Sequence, residues 1–390
     1  MKLNVPLSLG ALALVLSLSA CGGGQQRSQQ SGVALGDDST DFAFPVTVEH
    51  AHGFTVTNHP EYKELVMYQP GTRDTAAYYI LYPRGKEEPR VASRLATYLA
   101  VPARTLAVSS SPHVGAVAVL GLQEQLVAVS DPEKVNDSIT RQRIQEGKVQ
   151  RIGRGMSKDI EGLIALRPEV YLQDLYSGTE KDEDLIASGI KIVYFNNWKE
   201  QDLLGRAEWL KVVGLFYGRN AVADSAFRAM QTNYRAAAEL AKGAREVTPV
   251  MYGLDYKGVW YVPGEHSYIV KAFADAGVSC DFIPGQIDSR PSSFEYVFER
   301  NRHKKIWLCL MTGKLDKLSD FLSLNERYIH FDAAREGQVW VDRKQLNREG
   351  GNDFWESGPY HPDLVLKDFI KIAHPELLPD YETRYWMLLR

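Results

Sequence analysis

The chain has 390 residues, 44% of them hydrophobic, and a formal net charge of −4. This composition excludes a largely disordered chain and argues against a nucleic-acid binder, which would carry a basic face. Three cysteines are too few for a disulfide framework, and the length fits two or three domains.

The first element is an address. Lys2 precedes an apolar stretch from Leu7 to Ala20, and Cys21 follows. As a helix this stretch would reach about 21 Å, short of the roughly 30 Å hydrocarbon core, so it reads as the apolar region of a signal peptide. Leu18-Ser19-Ala20-Cys21 resembles a bacterial lipobox. That resemblance implies cleavage before Cys21 and acylation of its thiol and new amine. Gly22 to Ser31 makes a polar tether, as an anchored domain needs. Residues 1–20 are thus assigned to the signal peptide and 21–41 to the tether.

Residues 42–100 alternate apolar and polar positions, with strands at Phe54–Thr57 and Ala77–Tyr82, a small β-rich apron. From Arg104 the rhythm changes. Thr105–Ser109 is a buried-type strand, His113–Leu120 a helix closed by Gly121, and Leu126–Val129 a second strand. A helix over Asp159–Leu166 leads to a strand at Val170–Leu172, and Ile190–Phe195 is another. Short strands alternating with helices predict a parallel α/β sheet. No strand signal appears over residues 203–243. One amphipathic helix there ends at Gly218, and a second runs from about Ala221 to Lys242, about 33 Å long. After Pro249 the α/β rhythm returns, with strands at Val250–Gly253, Val259–Val262, Lys305–Leu310 and Val339–Val341. Helices are expected at Ser267–Ala276, Ser292–Arg300, Leu364–Ile372 and Tyr381–Leu388. The expectation is an α/β protein of two three-layer lobes with mostly parallel sheets. The N-terminal lobe with its apron covers 42–219, a linking helix 220–243, and the C-terminal lobe 244–390.

No dinucleotide fingerprint, phosphate loop or nucleophile elbow is present. His50, His52 and His59 could share a strand face, but a solvated apron accounts for them. Cys280 and Cys309 are either a disulfide or two separate thiols.

Several segments together resemble the substrate-binding proteins of ABC transporters for iron complexes, haem and cobalamin. They are Arg104 to Leu122, Gly155 to Leu172, Gly205 to Lys211 with Gly218 and Ala223 to Ser225, Trp260 to Gly264 with Ser267 and Asp275 to Gly277, and Gly350 to Gly358 leading to Pro362 to Leu364. The resemblance runs from about residue 42 to the C-terminus. It implies two lobes joined by a rigid helix, with a nutrient held between them at the carboxyl ends of the strands.

On that frame the candidate ligand-binding residues are Ser110, Ser111, His113, Tyr176 and Trp198 in the first lobe. In the second they are Tyr256, Trp260, Arg290 and Trp355. Aromatic walls suit a flat macrocycle or catecholate, and Arg290 suits a carboxylate or anionic chelate. His113 is a candidate axial ligand to a chelated metal, with His266 and His361 as others. The resemblance also implies an exposed acid on each lobe that meets arginines of the permease; by motif these are Glu161 and Glu295. Ser292-Ser293-Phe294-Glu295 also reads as a capping box. The expected function is a periplasmic, lipid-anchored, monomeric solute-binding component of an ABC importer. It would capture a ferric siderophore, haem or cobalamin, with no chemistry, cofactor or resident metal of its own. The alternatives are a lipid-anchored enzyme, chelatase or hydrolase, on the same architecture, and a surface adhesin.

Overall fold

The computed structural model describes residues 38–91, 93, 96–155, 157–174, 182–310, 315 and 317–390. The signal segment, Cys21 and Tyr176 lie outside the described residues. The architecture is mixed α/β with parallel sheets in two lobes, as the strand–helix alternation predicts.

The apron is a four-stranded sheet of Phe54–Asn58, Lys63–Tyr68, Thr75–Pro83 and Thr97–Val101. The first three strands are antiparallel, and the fourth adds parallel to the third. Lys63–Tyr68 alternates buried and half-buried positions, the period of a one-faced sheet. Its inner face rests on the first lobe: Phe54 meets Trp209 edge-on at 5.2 Å, and Tyr79 meets Phe216 at 5.6 Å. Lys63 is buried in that face because its ammonium donates to the Phe44 carbonyl and to Asn58 Oδ1, at 3.0 and 2.7 Å.

The first lobe carries a parallel sheet in the order Lys191–Tyr194, Val170–Gln173, Leu106–Val108, Leu126–Val129, Gln150–Arg151. Its central strands are buried on both faces, hence their apolar runs. The second lobe repeats the plan with Val278–Ser279, Thr248–Tyr252, Ile306–Cys309, Val339–Val341 and Met387–Leu388. A separate antiparallel ribbon of Asp255–Tyr256, Val259–Val262 and Arg290–Ser292 stands at the carboxyl end of Thr248–Tyr252.

The linking helix is Asn220–Ala241. Ala223, Phe227, Met230, Tyr234, Ala237 and Ala241 are buried at helical spacing. They pack on helix Leu210–Tyr217 of the first lobe and helix Pro362–Ala373 of the second. One apolar core therefore runs from the apron through the linking helix into the C-terminal helix. A second core fills the rest of the second lobe around Trp260, Trp307 and Phe331.

Two expectations are corrected. Residues 38–41 belong to a helix, Asp38–Ala43, and not to a tether. The Asp41 carboxylate accepts the Asn220 and Ala221 N–H groups at 2.8 and 3.1 Å, which caps the linking helix. The segment 381–388 is not a helix but ends in the strand Met387–Leu388, antiparallel to Val339–Val341. The buried Asp368 carboxylate explains it. It accepts N–H groups from Arg384, Tyr385 and Trp386 at 2.6, 2.7 and 3.2 Å, and the Tyr381 hydroxyl at 2.8 Å. Those amides are thereby withdrawn from any helical ladder.

Candidate functional site

The strands Leu106–Val108 and Leu126–Val129 end side by side, and the turns beyond them meet at the carboxyl end of the first lobe's sheet. Ser109, Ser110, Ser111, Ser130 and Asp131 line a cavity of about 20 Å³ there, room for about one water molecule. Ser110 is the N-cap of helix Ser111–Leu120, yet its side chain makes no capping bond. The pair Ser110 and Ser111 is thus brought together at the strand ends, as the sequence predicts.

His113 is corrected. It is only 1% exposed. Position 113 of this helix faces the sheet, and its ring meets Phe195 edge-on at 4.9 Å. Burial pushes its pKa down to about 4, so the ring is neutral inside the core. It is closed to a ligand. Trp198 is half-buried, with the Lys199 ammonium 4.3 Å above its ring.

The antiparallel ribbon stands at the carboxyl end of the second lobe's first strand. Trp260 is corrected as well: it is 1% exposed, lies tilted 5.8 Å from Trp307 in the second core, and donates Nε1–H to the Tyr252 carbonyl. The strand period sends Trp260 inward and its neighbours outward. Tyr261 is 50% and Tyr256 61% exposed. Tyr256 lies opposite Val259, and Tyr261 opposite Pro291, so one face of the ribbon is an exposed aromatic ladder. Tyr261 is a candidate that the loop-based assignment missed; period-two counting over 259–262 would have found it. Arg290 is exposed but paired opposite the buried Val262, on the other face of the ribbon from the tyrosines, and its guanidinium donates to Gln286 Oε1. Trp355 is half-buried and packs edge-on against Phe354 at 4.9 Å.

Besides the packing of helix Leu203–Glu208 on the second lobe, where Arg206 lies 4.1 Å over the Tyr268 ring, the lobes touch at two polar edges. At one edge the loop 347–356 of the second lobe grips the loop 133–137 of the first. Asn347 donates to the Glu133 and Val135 carbonyls at 2.9 and 3.0 Å. The Glu356 carboxylate, 2% exposed, accepts the Asn136 and Asp137 N–H groups at 2.7 and 2.6 Å. Burial nevertheless pushes its pKa up to about 8. Gly115 and Gly351 permit this contact, because a methyl on either would overlap a backbone carbonyl of the opposite lobe. At the other edge Lys199 reaches the exposed Asp288 at 2.5 Å. Beside that pair lies a cavity of about 220 Å³, lined by the apron turn Tyr68–Arg73, by Asn196, Lys199 and Glu200, and by Ile287 of the second lobe.

Glu161 and Glu295 are both exposed in the first turn of a helix, Ile160–Leu166 and Phe294–Asn301. Each helix precedes the strand next to its lobe's first strand. Asp159 caps the former by accepting Gly162 N–H at 2.9 Å. Ser293 caps the latter by accepting Tyr296 N–H, one residue off the capping box expected from Ser292. Glu295 therefore takes no part in the cap and pairs with Arg327 at 3.1 Å.

His50, His52 and His59 have separate partners: Gln231, Glu200 and Glu64 respectively. Among the described residues no three His, Cys, Asp or Glu side chains converge to hold a metal ion. Cys280 and Cys309 are separate thiols. No helix among the described residues is long and apolar enough to cross a membrane.

Residues 106–346 match the family model of periplasmic binding proteins. The chain belongs to that family, whose members are substrate-binding proteins and not enzymes. Two uncharacterized lipoproteins of Methanocaldococcus jannaschii are 26% and 24% identical, over 63% and 64% of this chain. The matches span 57% and 64% of those relatives, less than two thirds of their length. Among solved structures, a periplasmic haem-binding protein from Pseudomonas aeruginosa superposes with a TM-score of 0.54 at 17% identity, covering 70% of this chain and 93% of that one. An ABC transporter substrate-binding protein from Listeria monocytogenes gives 0.54 at 16% identity, with 70% and 99% covered. The vitamin B12-binding protein of Vibrio cholerae gives 0.50 at 14% identity, with 70% and 97% covered. These likenesses establish the fold. The apron precedes the family-matched segment.

Proposed function

We propose that this protein is the lipid-anchored, monomeric solute-binding component of an ABC importer. It captures a chelated metal nutrient, a ferric siderophore, haem or cobalamin, between its lobes and delivers it to the permease. The observation that carries the reading is what each lobe presents at the carboxyl end of its sheet: Ser110 and Ser111 in the first, and the exposed Tyr256–Tyr261 ladder in the second. An exposed aromatic face suits a flat chelate through area burial and stacking. The haem and vitamin B12 binders of similar fold support the ligand class, and the lipoprotein relatives support acylation at Cys21 and a periplasmic location on the membrane surface.

The test is quenching of the seven tryptophans by a panel of ferric siderophores, haem and cobalamin. Tight quenching without turnover is expected for one class, and Tyr256→Ala with Tyr261→Ala is expected to weaken it by tenfold or more. A panel without any quenching rejects the reading. Glu161 and Glu295 would engage arginines of the two permease halves, fixing register and speeding encounter. Replacing both by Ala should spare ligand binding and abolish uptake; normal uptake by the double variant refutes the docking role.

A further inference from the structure

The cavity at the Lys199 edge has an unusual charge balance. Its cations are the Arg73 guanidinium, on the apron turn, and the Lys199 ammonium. Arg73 forms no ion pair among the described residues and lies 5.1 Å over the Tyr68 ring. The acid in the lining, Glu200, is buried and committed: its oxygens accept the His52 and Gly53 N–H groups at 2.8 and 2.9 Å, and Trp209 Nε1–H at 2.7 Å. The lining therefore offers two cations and no free carboxylate. The one acid that reaches Lys199 comes from outside, from Asp288 of the second lobe, on an exposed side chain next to the cavity residue Ile287.

We propose that this cavity is a carboxylate-binding site in which Asp288 occupies the position of the ligand's acid. A ligand carboxylate takes the Lys199 ammonium from Asp288 and is held from the other side by Arg73, whose planar fork fits a carboxylate. Binding thereby exchanges an inter-lobe ion pair for a ligand ion pair, so its free-energy cost is small and the edge of the cleft is released as the ligand enters. The volume, about 220 Å³, is below the roughly 300–1,000 Å³ of a site for a whole drug-sized molecule. It suits a carboxylate arm of a chelate held in the main cleft, or a small free carboxylic acid. Two of its walls differ in origin: the apron turn precedes the family-matched segment, whereas Lys199 and Ile287 lie within it. The chelate-arm form of this inference rests on the solute-binding role above; the free-acid form does not.

The test is calorimetric titration of the full chain with citrate, ferric citrate and, as a ligand without a free carboxylate, cyanocobalamin. Lys199→Met is expected to weaken citrate or ferric citrate by about tenfold or more, the value of a charge-assisted bond. Arg73→Ala should give a smaller loss. Asp288→Asn should tighten the same ligand about two- to fivefold, because the competing acid of an exposed ion pair is gone. Binding of ferric citrate alone assigns the chelate arm, and equal binding of citrate assigns the free acid; both support the site. Absence of binding by both citrate and ferric citrate at millimolar concentration overturns it, as does wild-type affinity in both Lys199→Met and Asp288→Asn. Cyanocobalamin binding together with either overturning result leaves the solute-binding role standing. Lys199-dependent citrate binding in a protein that takes no metal chelate leaves this site and removes that role.

Discussion

The two edges at which the lobes meet are built on opposite principles. The Glu356 edge is buried and made of side chain to backbone bonds across the lobes, with two glycines admitting the contact. The Lys199 edge is a lone ion pair with an exposed acid, beside a cavity. A buried, directional contact has one geometry and fails abruptly, whereas an exposed ion pair is worth about 0–1 kcal/mol and is readily exchanged. The difference teaches which edge can yield. The Glu356 edge holds the register of the lobes, and the Lys199 edge is free to part.

The comparison breaks most severely at the glycines. Gly115→Ala drives a methyl into the Glu356 carbonyl. A loss of about 3 kcal/mol or more is expected from overpacking against backbone that cannot rotate away, seen as a lower midpoint in denaturant. An unchanged midpoint would mean that helix Ser111–Leu120 does not touch the Glu356 backbone. Glu356→Ala leaves the half-buried Asn136 and Asp137 amides without their acceptor, at a cost of about 1–3 kcal/mol.

The pH dependence of the same group sharpens the contrast. With its folded pKa raised to about 8 above the ordinary 4.5, Glu356 holds its proton more tightly in the folded protein. Its contribution is fully present below pH 4.5 and is lost as pH rises towards 8. Thermal melts of the wild type should therefore lose ground to Glu356→Gln between pH 5 and pH 8.5; parallel curves would contradict the assignment. The smallest effect belongs to the other edge. Lys199→Met should change stability by less than about 1 kcal/mol, and that little should vanish in high salt. A loss comparable to that of Glu356→Ala would erase the distinction between the edges.

Much of this architecture was legible in the amino-acid order. Four of the first lobe's five strands, the helix closed by Gly121 and the linking helix follow from apolar runs and periodicities in the sequence, whereas the polar edge strand Gln150–Arg151 does not. The lobed α/β plan follows from their alternation. Ser110 and Ser111 were legible because a turn at a strand's carboxyl end is placed by the strand itself. Elements whose geometry is set from afar were not. The tail 381–388 has a helical pattern, but Asp368 takes its amides. His113 and Trp260 occupy helix and strand positions whose inward side is set by the packing partners, Phe195 and Trp307.

The chain's own pattern determined which segments are helices and strands, because those depend on near neighbours and on burial of one face. Only the tertiary structure decided where the lobes meet. Glu356 finds its amide partners 219 and 220 residues away, and Lys199 finds Asp288 at a separation of 89. Polar contacts at that range carry no periodic signal, since what selects them is the position of two finished lobes in space.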